Sequence, residues 1–163
     1  MNVINFCYKS NNIMDFKEAR TNMVLNQLRA NRIRDNLLIE EIEIFPREDL
    51  YPSNYKHLSY SDRIIHFDDG RFILPPLTSF HLVQALNLSK DDNVLEVGSG
   101  VGTTTSILNR FCKSVDCIES SKVMIESFQN SINAGLFSAS LLKTNIESFF
   151  ESKNPNIKKY QKI

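Results

Sequence analysis

Asn93-Val94-Leu95-Glu96-Val97-Gly98-Ser99-Gly100-Val101-Gly102 is the stretch whose reading decides the fold. Val94, Leu95 and Val97 form a short apolar run, the pattern of a buried strand. Glu96 puts a charge inside that run, and three glycines, Gly98, Gly100 and Gly102, follow at once. From Thr103 to Leu108 the spacing suits a helix again. Strand, glycine turn and helix in succession bring backbone N–H groups and a helix N-terminus close to a ligand. The same glycines would also serve a tight turn that binds nothing.

A dinucleotide loop spaces its glycines as Gly-x-Gly-x-x-Gly, and the third of those positions is Thr103 here. The order acid-x-Gly-x-Gly-x-Gly from Glu96 to Gly102 instead resembles motif I of class I methyltransferases that use S-adenosyl-L-methionine (SAM). That resemblance implies that Glu96, Gly98, Ser99, Gly100 and Gly102 line a SAM site. SAM has no pyrophosphate for a helix dipole to hold. Its methionine end needs close backbone approach, and its sulfonium tolerates a nearby acid.

The 163 residues suit one domain with a small N-terminal subdomain. Hydrophobic residues at 42% and charged residues at 23% are ordinary for a globular protein. With 19 basic and 19 acidic residues, no global field steers the chain to nucleic acid or to an anionic membrane, so neither is expected as a partner. No apolar run approaches the roughly 18 residues of a spanning helix, and no signal peptide is visible. Cys7, Cys112 and Cys117 lack metal-type spacing, as do His57, His66 and His81, so no metal site is expected. Reduced thiols and a cytoplasmic location are the expectation.

Outward from the glycine stretch, the chain divides at about residue 76. In the first part, Phe16, Ala19, Met23, Val24 and Leu28 share one helical face, with Arg20 and Arg29 mostly on the other. Asp35 is placed to cap a second helix with Leu38, Ile42 and Phe45 inward. The segment from Phe45 to Pro52 reads as an extended connector. Ile64–Phe67 and Arg71–Leu74 flank Asp68-Asp69-Gly70 as a β-hairpin. Thr78 is placed to cap a third helix, with Leu82, Val83 and Leu86 inward.

Residues 77–163 hold the glycine stretch and its continuation. After the first crossover helix, residues 114–118 make a second strand closed by Glu119. A helix from about Ser121, with Val123, Ile125, Phe128 and Ile132 on one face, stops at Gly135. Residues 139–143 make a third strand, followed by Thr144 and Asn145. This α/β order is the N-terminal three-stranded half of a Rossmann-like sheet. It is preceded by a helical and hairpin subdomain. Ligands in such sheets bind beyond the carboxyl ends of the strands, which selects Glu96–Gly102, Glu119 with Ser120, and Thr144 with Asn145. Glu119, about 20 residues beyond Gly98, suits the role of accepting both ribose hydroxyl protons. Asn145 suits either an adenine edge or a helix cap.

The N-terminal part carries a closer resemblance. Met23-Val-Leu-Asn-Gln-Leu28, Phe45-Pro-Arg-Glu48, Leu50-Tyr-Pro52 and Tyr60-Ser-Asp62 precede a glycine-bearing hairpin, Leu82–Leu86, the glycine stretch and Val115–Glu119. In residue and order these pieces resemble protein-L-isoaspartate O-methyltransferases over most of the chain. The resemblance implies a SAM-dependent enzyme that methyl-esterifies the carboxylate of isoaspartyl residues in damaged proteins, whose ester then collapses to a succinimide. Such an enzyme needs no strong base, because a carboxylate is already a nucleophile; alignment dominates.

By the same resemblance, Tyr60, Asp62, Ile73 and Leu74 lie on the substrate side. Leu74 stands where the family has the serine of Thr-Ile-Ser-x-Pro, so no catalytic residue is assigned. Methylation of another acceptor, or SAM binding without chemistry, are the other readings that Leu74 leaves open. The class I sheet has four more strands, and Lys159–Ile163 looks like the start of the next one. A truncated or split reading frame, or a separate polypeptide completing the sheet, is therefore expected.

Overall fold

In the computed structural model, residues 14–151 and 159–163 are described. Cys7 lies outside the described residues. Helix α1 (Phe16–Asn22) starts where Asp15 Oδ1 accepts from the backbone N–H groups of Lys17 and Glu18 at 2.9 and 3.1 Å. It runs directly into a π-helical segment, Met23–Leu28, which buries Met23, Val24 and Leu28 as the apolar face predicts. Helix α2 (Asn36–Ile44) is capped by Asp35, whose Oδ1 accepts from Leu38 N at 3.1 Å. Phe45 leaves it extended, as a residue before proline must.

The segment after Pro46 is not the extended connector that the sequence suggests. It curls through two 3₁₀ turns, Arg47–Leu50 and Lys56–Leu58. The cause is Arg47, a buried cation whose Nε donates to Ser59 O at 2.9 Å and Nη2 to Tyr51 Oη at 3.0 Å. The chain wraps around the guanidinium to supply those acceptors. Arg20, read as a surface residue, is also turned inward. Its Nε donates to Tyr60 Oη at 2.8 Å and its Nη2 to Glu48 Oε1 at 3.0 Å.

Strands β1 (Ile65–His66) and β2 (Phe72–Ile73) form the expected antiparallel hairpin, with Ile65 opposite Ile73. Helix α3 spans Pro76–Leu86 and so begins two residues before Thr78. A proline at the first helical position needs no side-chain cap, because its missing N–H would have been unpaired there anyway. That start turns Phe80 and Val83 inward and leaves Leu82 58% exposed.

The second part is the parallel three-stranded sheet β3 (Asn93–Val97), β4 (Ser114–Glu119) and β5 (Ser140–Lys143), in that spatial order. Val94 pairs with Val115 and Ile118 with Leu142. Helix α4 (Thr105–Phe111) makes the first crossover and α5 (Lys122–Asn133) the second. Helix α6 (Ile146–Glu151) follows β5. On α5 the buried residues are Met124, Phe128 and Ser131, not Val123. Phe128 meets Phe137 edge-on at 5.0 Å, and that pair sets the face of the helix.

On the other side of β3, Val94 and Lys162 form a parallel bridge, with Leu95 N donating to Lys162 O at 3.0 Å. This is the strand start expected from Lys159–Ile163. One continuous apolar core joins the N-terminal helices, the hairpin and one face of the sheet, from Met23 to Phe137. A smaller cluster of Leu95, Ile118 and Phe149 covers the opposite face. No helix among the described residues is long and apolar enough to cross a membrane.

Candidate functional site

The carboxyl ends of β3 and β4 open onto a cleft roofed by the hairpin. Beyond Val97 the backbone turns so that Gly98 N and Ser99 N both donate to Ile118 O, at 2.8 and 3.3 Å. Gly98 and Gly100 hold φ values of +76° and +59°, the left-handed region where a side chain is strained. Their Cα faces front a cavity of about 290 Å³ that also touches Arg71, Ile73, Leu74 and Glu96. A second cavity of about 210 Å³ adjoins it between Glu119, Ser120, Thr144 and Asn145. The two meet along Arg71, Val97 and Gly98.

Glu119 lines the second of them, its side chain 0% exposed. Its Oε1 accepts from Ser120 N at 2.8 Å and Ser121 N at 2.9 Å. Its Oε2 accepts from Gly100 N at 2.9 Å and Arg71 Nη2 at 3.0 Å. The end of β4 is thereby stitched to the glycine loop, and the hairpin is tied down beside it. Asp69 reinforces the tie by accepting from Ser121 Oγ.

Glu96, on the cleft wall, accepts from Thr105 Oγ1 and from Cys117 Sγ, the latter at 3.8 Å. Burial, together with the nearby Glu119 charge, pushes its carboxyl up to about 7 against the two hydrogen bonds. Burial also raises the Cys117 thiol, with the Glu96 charge adding to it. Ser99 Oγ is buried and has no hydrogen-bond partner among the described residues.

The structure thus gathers Glu96, Gly98, Ser99, Gly100, Ile73 and Leu74 around one cavity and Glu119, Ser120 and Asn145 around its neighbour. Gly102 is placed elsewhere. A Cβ there would come within 2.6 Å of Phe137 Cζ and 3.2 Å of Phe128 Cδ2, so packing against that aromatic pair is what demands the glycine. Asn145 Oδ1 accepts from Ser148 N at 2.7 Å, the capping alternative, while the residue still lines the second cavity. Tyr60 is buried in the Arg20–Glu48 network and lines neither cavity. Asp62 is exposed and lines neither. Among the described residues no group of three or more potential metal ligands occurs.

Two contributors went unread in the sequence. Thr105 reaches back to Glu96, and Arg71 bridges the hairpin to Glu119. Arg71 directly precedes the Phe72-Ile73-Leu74 segment, so a cation adjoining a recognised pattern was the available signal.

Comparison with known proteins agrees with this architecture. The family model described as protein-L-isoaspartate(D-aspartate) O-methyltransferase matches residues 19–144. A protein-L-isoaspartate O-methyltransferase of Roseiflexus sp. is 32% identical over 113 residues, covering 69% of this chain and 51% of that protein. One from Methylorubrum extorquens is 35% identical over 111 residues, covering 68% and 49%. The chain spans about half the length of the curated relatives it matches. Among solved structures, a protein-L-isoaspartate O-methyltransferase superposes with a TM-score of 0.60 at 21% identity, over 77% of this chain and 42% of that one. A second, from Plasmodium falciparum and bound to S-adenosyl-L-homocysteine, gives 0.59 at 17% identity, over 78% and 63%. These two show the shared fold. Taken with the family model, which spans both the hairpin and the glycine cleft, they place the chain: it belongs to the protein-L-isoaspartate(D-aspartate) O-methyltransferase family.

Proposed function

We propose that this chain is the SAM-binding part of an enzyme that methylates isoaspartyl carboxylates in damaged proteins. The observation that carries the reading is Glu119, which lines the second cavity beyond the carboxyl ends of the strands and accepts from Gly100 N of the first. The residues present fit the cofactor in three respects. Gly98 and Gly100 leave their backbone open to the cleft, Ser99 Oγ waits unpartnered, and an acid closes the second strand. Glu119 would accept the ribose hydroxyls, and Ser120 with Asn145 would flank the adenine. Glu96 and Ser99 would line the methionine side.

When bound, SAM supplies a methyl group on a sulfonium, a good leaving group. The chain's own contribution is alignment: the Gly98–Gly100 backbone fixes depth, Glu119 fixes rotation, and the hairpin covers the cleft against water. The Glu96 carboxyl, raised by burial to about 7, holds a proton more readily than an ordinary carboxylate. Residues 77–163 hold the cofactor in this reading, and residues 1–76 face the acceptor through Ile73 and Leu74. The bridge of Lys162 to Val94 supports a further strand beside β3, from additional chain or from a separate polypeptide. A cytoplasmic setting suits Cys112 and Cys117, both buried and free.

Leu74 favours a second reading. A half-buried aliphatic side chain at the cleft rim offers no hydroxyl, which suits binding without turnover or a different acceptor. Calorimetry with S-adenosyl-L-homocysteine tests the cofactor assignment. Binding is expected for the natural chain and at least a tenfold loss for Gly100→Ala, with the circular dichroism of the two proteins matching. No binding by the natural chain would overturn the assignment. A methyl-transfer assay on an isoaspartyl peptide then separates the two readings.

A further inference from the structure

Glu119 presents a difficulty for any ribose. An ionised carboxylate offers about four acceptor positions, and all four are taken here, three by backbone N–H groups and one by Arg71. The backbone donors belong to the glycine loop and to the turn that starts α5, so they cannot leave without unmaking the fold. Arg71 can. Its side chain is 40% exposed, it reaches across from the hairpin, and its Nη2 would lie 3.4 Å from a Cβ on Gly98. The guanidinium therefore rests on the surface that a cofactor must cover. Its Nε is buried and has no partner in this position.

Arg71 is also the one cation among the described residues lining either cavity. On the acceptor side its neighbours are Phe72, Ile73 and Leu74, none of which can hold an anion with its side chain. We propose that Arg71 is the anchor for the acceptor's carboxylate, kept on Glu119 until the ribose hydroxyls displace it. Ribose takes the vacated acceptor position on Glu119. The freed guanidinium, without its counter-ion and beside an apolar rim, offers a fork of N–H donors that matches a carboxylate in two parallel hydrogen bonds. Cofactor and acceptor are thereby coupled: each favours the state in which Arg71 has left Glu119. The inference rests on the cofactor reading above and adds to it the residue that selects a carboxylate acceptor.

The test uses Arg71→Met, which keeps the aliphatic packing and removes the donors, and Arg71→Ala as a second variant. S-adenosyl-L-homocysteine, which carries no sulfonium charge, is titrated by calorimetry. A short isoaspartyl peptide is then titrated with and without it. Losing the competing ion pair should tighten S-adenosyl-L-homocysteine binding about threefold to tenfold in both variants. The peptide should bind the natural chain more tightly when S-adenosyl-L-homocysteine is present, and that gain should vanish in the variants. Unchanged or weaker S-adenosyl-L-homocysteine binding in both variants would overturn the displacement. A peptide affinity indifferent to Arg71 would overturn the anchor. If neither the natural chain nor the variants bind S-adenosyl-L-homocysteine, the cofactor reading fails and the inference falls with it.

Discussion

Glu48 and Glu119 are both buried carboxylates paired with an arginine from a distant segment, yet they are built for opposite ends. Around Glu48 everything is closed. Arg20, its side chain 12% exposed, is held by both Glu48 oxygens, by Tyr60 Oη and by the carbonyl of Ile44 at 3.1 Å. Tyr60 in turn donates to Glu48 Oε2, and burial raises the phenol further. Neither the acid nor its arginine lines the cleft cavities. Around Glu119 the acid is just as deep, but the arginine is the exposed member and, among the described residues, the only partner that is not backbone. Burial of the acid is common to the two; what separates them is how exposed the paired arginine is, 12% at Arg20 and 40% at Arg71.

The contrast can be broken by removing each acid. Glu48→Ala leaves the Arg20 guanidinium buried with part of its pairing gone, and about 3–5 kcal/mol of stability should be lost in urea denaturation. Glu119→Gln keeps the shape and an acceptor for some of the backbone donors. It should cost about 1–3 kcal/mol while abolishing S-adenosyl-L-homocysteine binding. Equal stability losses, or a Glu119 variant that still binds, would erase the distinction.

Gly102 sharpens the same contrast within the glycine loop. Gly102→Ala places a Cβ against Phe137 at φ +92° and should cost about 2–4 kcal/mol in denaturant unfolding. At Gly100 a Cβ would meet only Ile73 Cγ1, at an ordinary 3.7 Å, so the same substitution should spare the fold more than the ligand.

Glu96 is a third case, an acid with no cationic partner among the described residues. Its carboxyl lies above the ordinary 4.5 at about 7 in the folded chain, so the native state binds the proton more readily than the unfolded one. The stability tied to it is complete below about pH 4.5 and is lost as pH rises through about 7. Glu96→Gln should remove that slope, on the order of 3 kcal/mol between pH 4.5 and 8. Urea midpoints across that range for both proteins check it, and parallel curves would refute it.

What could be read in advance follows from which signals are local. Val94, Leu95 and Val97 announce a strand, the glycines a turn, and Glu119 a strand end, because each is a feature of neighbours in sequence. Asp35 caps its helix as expected, and α5 starts at the expected place, with Ser121 as its cap. The Arg20–Glu48–Tyr60 network and the Arg71–Glu119 pair join residues 12 to 48 positions apart, and no periodicity carries such pairings. Tyr60 was placed on the substrate side by its position in a family pattern; its hydroxyl is instead consumed by Arg20 and Glu48. Leu82 was expected inside because its spacing suits the stripe, but the proline start of α3 sets the face, and Phe80 takes that place.

The π-helical segment Met23–Leu28 carries a consequence for insertions and deletions. A π turn amounts to an α-helix that has accepted one extra residue. Each residue turns an α-helix by about 100°. Deleting one position inside Met23–Leu28 would therefore close it to an ordinary α turn with Phe16–Asn22 facing as before, whereas inserting a further one would turn that helix by about 100° and point Arg20 away from Glu48. The surplus residue is slack rather than register, so this short stretch should tolerate the loss of a residue far better than the gain of one.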